Sequence, residues 1–264
     1  MYPVKYHKAT SIADATAALS GGEDATLLAG GQTLLATMKQ HLADPSDLVD
    51  IRSIDGMNGV TVAGDVLTIG AATTHADVAE NADVQKLCPA LADLASHIGD
   101  PAVRNVGTIG GSIANNDPAA DYPAAMLALS ATIVTNTREI AADDYFEGLF
   151  DTALEDGEII TAVKVTSPSK AAYAKFAQQA SLFALVGVFV ADGAGGIRVA
   201  VTGAGEDGVF RQSDMEAALA SGWSDTALDG VTASEDGIMS DLHGSADYRA
   251  HLIKVMAKRA VAAA

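Results

Sequence analysis

Two glycine pairs carry the most direct chemical signal in this sequence. Ala29-Gly30-Gly31-Gln32-Thr33 and Thr108-Ile109-Gly110-Gly111-Ser112 each couple consecutive glycines to a hydroxyl residue, Thr33 in one and Ser112 in the other. Without a Cβ the main chain can approach an anion closely and turn successive N–H groups toward it, and the hydroxyl adds another donor. Two such segments face to face could hold a pyrophosphate from both sides. The first runs through Leu34 into a helical stretch at 32–39, whose N-terminus would add partial positive character. Taken singly, either pair is equally consistent with an ordinary turn. Neither follows the G-x-G-x-x-G or G-x-x-x-x-G-K-[ST] spacing, which removes those two common phosphate-binding explanations.

Charge points the same way. The chain has 34 acidic residues against 16 lysines and arginines, a net charge of −18, so a nucleic-acid backbone or an anionic membrane is a poor partner. Any phosphate held here must be held by main-chain N–H groups. Cys88 is the single cysteine, so the chain by itself builds no disulfide framework, no cysteine metal knuckle and no thiolate-ligated cluster. Its apolar context reads as a buried small hydrophobe. His7, His41, His75, His97, His243 and His251 show no H-x-x-x-H or HExxH spacing, so no metal site is expected. No G-x-S-x-G elbow supports a hydrolase, and no catalytic acid, base or nucleophile is nominated. The N-terminus lacks an apolar signal region and no 18-residue uncharged apolar run occurs, so a cytoplasmic protein without a transmembrane segment is expected.

The elements that must position the glycine pairs mix helix and strand. With 264 residues, 49% of them hydrophobic, the chain can bury a large core. Helical spacing follows Ser11 over 11–19. A strand at 25–29 leads into the first glycine pair and the helix after it, and a strand follows at 47–51. Alternation at 60–62 and 66–69 reads as a hairpin. Thr74 caps a helix over 75–80, and an apolar stripe predicts another over 84–98. The stretch 104–118 is rich in glycine and asparagine, and is expected to be an ordered, partly buried loop. A helix over 119–130 and strands at 131–135 and 159–165 precede a composition break near 168. Beyond it, strands are expected at 171–177, 183–191 and 197–203, then mainly helix. The last helix, 245–263, places Lys254, Lys258 and Arg259 where cations complement the helix dipole.

Three runs together resemble a known family: AGGQTLLATMKQHLADPSDLVDI (29–51), VRNVGTIGGSIANNDPAADYPAAMLAL (103–129) and KFAQQASLFALVGVFVA (175–191). They look like the FAD-binding medium subunit of the molybdenum hydroxylases, and the likeness runs along essentially the whole chain. IRVAVTGAG and the ending MSDLHGSADYRAHLIKVMAKRAV most resemble the carbon monoxide dehydrogenase branch. The resemblance implies an α+β fold of the vanillyl-alcohol-oxidase/PCMH type. Subdomains at 1–56 and 57–168 would clasp FAD, followed by a small antiparallel sheet with helices at 169–264. It further implies an iron–sulfur small subunit and a molybdopterin large subunit as partners, in a dimer of heterotrimers. Electrons would leave FAD for an external acceptor, with quinone, NAD and oxygen all open. A xanthine, aldehyde or N-heterocycle hydroxylase remains an alternative complex, and a non-redox nucleotide-binding or assembly protein an alternative of another class.

Carried over by position, the resemblance implies that Ala29, Gly30, Gly31, Gln32, Thr33 and Leu34, with Thr108, Ile109, Gly110, Gly111 and Ser112, surround the FAD pyrophosphate and ribityl atoms. Asp121 matches an acid that hydrogen-bonds FAD, and Asn115 lies on the same loop. Ile160 matches an apolar position beside the cofactor, and Phe183 an aromatic against the isoalloxazine. Read as residues alone, Asp121 is also a helix N-terminal acid, while Ile160 and Phe183 also suit core packing. Gln178 stands where the family leads one to expect a basic residue.

Overall fold

The structure is a computed structural model that describes residues 1–264. Its first unit is a small parallel sheet. Lys5–Lys8 (β1), Ala25–Leu28 (β2) and Asp47–Asp50 (β3) lie in the order β1-β3-β2, with β3 in the centre. Parallel neighbours need crossover connections, and two helices serve. Ile12–Gly21 (α1) links β1 to β2, its cap made by Ser11 Oγ accepting from Asp14 N at 3.1 Å, and Leu34–Lys39 (α2) lies between β2 and β3. At the end of β3, buried Asp50 accepts the Tyr6 hydroxyl at 2.7 Å and Arg52 Nη2 at 2.6 Å. Burial pushes its carboxyl up, but these two partners outweigh it and hold the pKa at about 2.

The second unit is antiparallel. Val60–Ala63 (β4) and Val66–Gly70 (β5) form the predicted hairpin. A run of helices follows: His75–Glu80 (α3), Ala82–Leu87 (α4), Pro89–Ser96 (α5), Pro101–Arg104 (α6), Ile109–Asn115 (α7) and Tyr122–Ala128 (α8). Thr132–Thr135 (β6) and Glu139–Ala141 (β7) return to the sheet, and a hairpin of Phe146–Gly148 (β8) and Asp151–Thr152 (β9) stands apart. Ile160–Thr166 (β10) then inserts between β5 and β6, giving the order β4-β5-β10-β6-β7.

Lys170–Ala177 (β11), Ala184–Gly193 (β12), Gly196–Thr202 (β13) and Phe210–Arg211 (β14) form a third sheet in sequence order. Ser213–Ser221 (α9) and the long Ala246–Ala263 (α10) pack on it. Strand β12 is apolar on both faces because it separates two cores. Val186, Val188 and Val190 face the α10 side, and Phe189 and Ala191 face the core of the preceding units, as the two-residue period of a strand requires.

Several expectations need correction. Within the stretch 104–118, expected as a loop, 109–115 is helix: Thr108 caps α7, and the glycine pair sits in its first turn, while 105–108 and 116–118 are irregular as expected. The helix expected over 84–98 is two helices broken at Cys88, because Pro89 lacks an N–H and starts a new helix instead of continuing the old one. Lys254 and Lys258 do not serve the dipole of α10; they donate to Asp229 O and Asp229 Oδ1. Strands β1, β7, β8, β9 and β14 were not expected, and at two to four residues each they are too short to show a period.

Candidate functional site

A cleft of about 690 Å³, within the range of small-molecule sites, is lined by residues drawn from 19–51, 71–160 and 181–183. Both glycine pairs open onto it. So do nearly all the residues nominated from sequence: Ala29, Gly30, Gly31, Gln32, Thr33 and Leu34; Thr108, Gly110, Gly111 and Ser112; Asn115, Asp121, Ile160 and Phe183. Ile109 does not, since its side chain is wholly buried in the core.

The first segment bridges the end of β2 and the start of α2. From Ala29 through Leu34, no main-chain N–H donates to another atom of the chain. Gly31, at φ +67°, makes the turn, and the segment is fastened by its carbonyls: Leu35 N reaches Gly31 O at 3.1 Å and Thr37 N reaches Thr33 O at 3.0 Å. Gly30 supplies close approach, because a Cβ there would fall 2.4 Å from Val106 O and 2.6 Å from Gly107 Cα. The result is an array of free donors on one wall, the arrangement that receives phosphate oxygens.

The second segment is built differently. Ile109 N donates to Thr73 O (3.1 Å), Gly110 N to Ala71 O (2.8 Å), Gly111 N to Thr108 Oγ1 (3.2 Å) and Ser112 N to Thr108 O (3.0 Å). The expected array of anion-facing N–H groups is therefore absent here, since those donors close the joint between the 71–73 strip and α7. Glycine is needed for space instead: a Cβ on Gly110 would lie 2.7 Å from Ala71 O. What this wall offers the cleft is a bare glycine surface, the Ser112 hydroxyl and the Asn115 amide, neither side chain being hydrogen-bonded within the chain.

Asp121 lies on the floor, buried, with its carboxylate tied to β11. Tyr173 donates its hydroxyl to Oδ1 at 2.5 Å, and Lys175 Nζ stands 2.9 Å from Oδ1 and 3.0 Å from Oδ2. Burial raises the Asp121 carboxyl above its ordinary value against the opposing pull of Lys175 and Tyr173. Sequence reasoning missed Lys175. The signal was available, because Tyr173 and Lys175 are two apart on a strand and so share its inward face. Gln178 is not part of the lining; its main chain closes the β11–β12 turn by accepting from Leu182 N and donating to Phe183 O, both at 2.8 Å. That turn sets Phe183 at the mouth, half exposed, while Ile160 is a buried member of the lining, as Ile51 is.

Two further groups bear on the chemistry. Glu158 lines the cleft, but Arg138, Thr135, Thr137 and the Glu155 N–H hold its carboxylate, and Arg138 above all keeps its carboxyl well below the usual range. Cys88 is buried outside the cleft, and burial pushes its thiol up to about 11, so it is an inert small hydrophobe. No three His, Cys, Asp or Glu residues are placed to hold a metal ion, and no helix is long and apolar enough to cross a membrane.

The cleft thus combines a wall of free main-chain donors, a glycine wall and apolar lining residues, among them Ile160 and Phe183. Residues 2–168 match the family described as the FAD binding domain in molybdopterin dehydrogenase. The nicotine 6-hydroxylase medium subunit of Paenarthrobacter nicotinovorans is 36% identical, with 98% of this chain and 96% of that one covered. The carbon monoxide dehydrogenase medium chain of Hydrogenophaga pseudoflava is 34% identical over the same shares. Among solved structures, a carbon monoxide dehydrogenase from Hydrogenophaga pseudoflava superposes with a TM-score of 0.89 at 35% identity, covering 100% of this chain and 98% of that one. Quinoline 2-oxidoreductase from Pseudomonas putida 86 gives 0.85 at 28% identity, covering 100% and 97%. The mixed fold and the cleft agree with these likenesses along the whole chain, which therefore belongs to the FAD-binding medium subunits of the molybdenum hydroxylases, an oxidoreductase flavoprotein subunit whose cofactor is FAD.

Proposed function

We propose that the pyrophosphate of FAD rests on the free N–H groups of Ala29–Leu34. Gly110, Gly111, Ser112 and Asn115 bound the adjoining ribityl atoms from the other side, and the flavin ring lies toward Ile160 and Phe183. The observation that carries this reading is the unbroken run of unbonded donors on the wall facing the second glycine pair. Bound FAD supplies the redox chemistry, accepting and passing on electrons singly or in pairs. The protein's own part is to bind, orient and shield it. Two of the cleft's carboxylates, Asp121 and Glu158, are engaged by neighbouring side chains. In this reading the subdomains at 1–56 and 57–168 clasp the cofactor, and the 169–264 unit brings Phe183 to its mouth.

The chain then acts as a relay. Electrons taken from a substrate on a molybdopterin large subunit pass through an iron–sulfur small subunit to FAD, and from FAD to an external acceptor, in a cytoplasmic dimer of heterotrimers. Support comes from the relatives' description as medium subunits or medium chains and from the lack of cluster-ligating cysteines here. Carbon monoxide is the first substrate to try, given the 0.89 TM-score against a carbon monoxide dehydrogenase. The nicotine 6-hydroxylase relative, at comparable identity, keeps an N-heterocycle as the second reading.

The test is co-purification of the chain with whatever binds it, an absorbance spectrum, and acid release of the chromophore. Released FAD with iron–sulfur and molybdopterin proteins in the same complex is expected, and dye reduction driven by carbon monoxide or by an N-heterocycle then decides the substrate. A colourless chain that stays colourless after incubation with FAD would instead favour a nucleotide-binding or assembly protein.

A further inference from the structure

One cleft residue is left without a role by this reading. His75 opens α3, its main-chain N–H donating to Gly107 O at 2.9 Å. The residue is 5% exposed, and what remains accessible opens on the cleft. Nδ1 is enclosed and has no hydrogen-bond partner. Nε2 makes no hydrogen bond within the chain either. Tyr122, whose ring lies tilted against the imidazole with centroids 5.4 Å apart, is fully buried and also has an unpartnered hydroxyl. Burial, reinforced by the charge of Arg104, lowers the imidazole pKa to about 4, so the ring is neutral at pH 7 and carries one N–H donor and one acceptor. Buried polar groups in folded proteins are nearly always satisfied; Nδ1 and the Tyr122 hydroxyl are enclosed and out of a ligand's reach, whereas Nε2, also without a partner, belongs to the imidazole edge that the cleft reaches.

Geometry says where that ligand lies. A Cβ built on Gly107 would sit 2.6 Å from His75 Nε2, and one built on Gly30 would sit 2.6 Å from Gly107 Cα. Gly107, with no side chain to come between them, is thus layered between the imidazole and the first glycine segment. We infer that His75 is a further cofactor-contact residue, its Nε2–H donating to a pyrophosphate oxygen of FAD at the crossing of the two glycine segments. The inference rests on the FAD reading above and adds a side-chain donor to the pyrophosphate position, which that reading otherwise gives only main-chain groups. It also gives a partner to the one ring nitrogen that the cleft can reach.

The test uses the full chain, stripped of flavin and titrated with FAD. His75→Phe keeps an aromatic ring without a donor, and its FAD affinity is expected to fall about tenfold to a hundredfold, as for a lost hydrogen bond to a charged group. His75→Gln places an amide nitrogen near the position of Nε2, and should bind within about threefold of wild type. In wild-type protein labelled with 15N-histidine, the resonance absent from His75→Gln should shift on adding FAD or ADP, which carry the pyrophosphate, and stay put on adding riboflavin, which does not. If His75→Phe fails to fold, this resonance decides alone. Unchanged affinity in a folded His75→Phe, or a resonance that FAD does not move, overturns the inference while leaving the cofactor reading intact. A wild-type chain that takes up no FAD overturns both.

Discussion

The two glycine pairs have nearly the same sequence signature and opposite uses. At 30–31 the donors are free, and glycine is required by a left-handed turn at Gly31 and by the approach of Val106 and Gly107 to Gly30. At 110–111 the donors are committed to Ala71 O and Thr108 Oγ1, and glycine is required because α7 presses directly onto Ala71. One segment leaves its N–H groups free and is fastened by its carbonyls, and the other is a structural joint that happens to face the cleft. A glycine pair before a helix therefore does not by itself announce an anion cradle. What decides is whether another main-chain strip lies within reach of those N–H groups. The 71–73 strip accepts from the second pair, whereas the Val106–Gly107 strip packs against Gly30 without accepting its N–H.

The sharpest way to break this comparison is to add one methyl group to each joint. Gly110→Ala puts a Cβ 2.6 Å from Ala71 Cβ and strains the Gly110–Ala71 hydrogen bond. It should cost about 3 kcal/mol in urea unfolding of the flavin-free chain, the upper end for overpacking, and any loss of FAD should follow from that. Gly31→Ala, at φ +67° and 2.9 Å from Leu35 Cδ1, should cost about 1–2 kcal/mol of stability. Its FAD affinity should fall by more than that loss accounts for, because the free N–H groups turn away from one another. If Gly110→Ala unfolds like wild type and merely sheds FAD, the second segment is a cradle after all and the comparison collapses.

How much of this was legible beforehand follows from the same contrast. The glycines, hydroxyls and flanking elements of both pairs were readable, because turn chemistry and period are local properties. The two pairs could not be told apart, because the acceptor of Gly110 N is Ala71 O, a residue remote in sequence. The break at Cys88-Pro89 was readable from the proline alone, and the apolar stripe masked it. Lys175 was missed because lysine is rarely buried, so its place on the same strand face as Tyr173, two residues away, went unread. Three of the four strands of the last sheet were found to within a residue or two because their apolar runs are long.

A finer cut separates binding from folding inside the second segment itself. Thr108 and Ser112 are one helical turn apart, yet Thr108 Oγ1 accepts from Gly111 N while the Ser112 hydroxyl bonds nothing in the chain. Thr108→Ala should lose about 1 kcal/mol of stability as a removed N-cap. Ser112→Ala should unfold within about 0.5 kcal/mol of wild type and bind FAD roughly fivefold to tenfold more weakly, as for one lost hydrogen bond. Both are read from a urea titration of the flavin-free chain and an FAD titration of the same preparation. Were the two effects exchanged, the assignment of fold and ligand contacts within this segment would be reversed.

The smallest expected effect tests what the first segment stands on. Strand β2 delivers that segment, and its last residue, Leu28, pairs with Asp50, whose carboxylate is held by Tyr6 and Arg52. The Asp50 pKa falls from an ordinary 3.8 to about 2. A depressed carboxylate contributes stability that is complete above its unfolded pKa and lost as pH falls through the folded one. The window is therefore about pH 4 down to pH 2. Arg52 is half exposed, so solvent screening limits the contribution to about 1 kcal/mol. Wild type should exceed Asp50→Asn by that amount at pH 7, and the gap should narrow steadily through the window. The second segment is clamped by main-chain hydrogen bonds that do not titrate, so the gap between wild type and Thr108→Ala should stay flat over the same range. Two parallel pH profiles would mean that the ion pair does not anchor the first segment and that both glycine pairs rest on main-chain contacts alone.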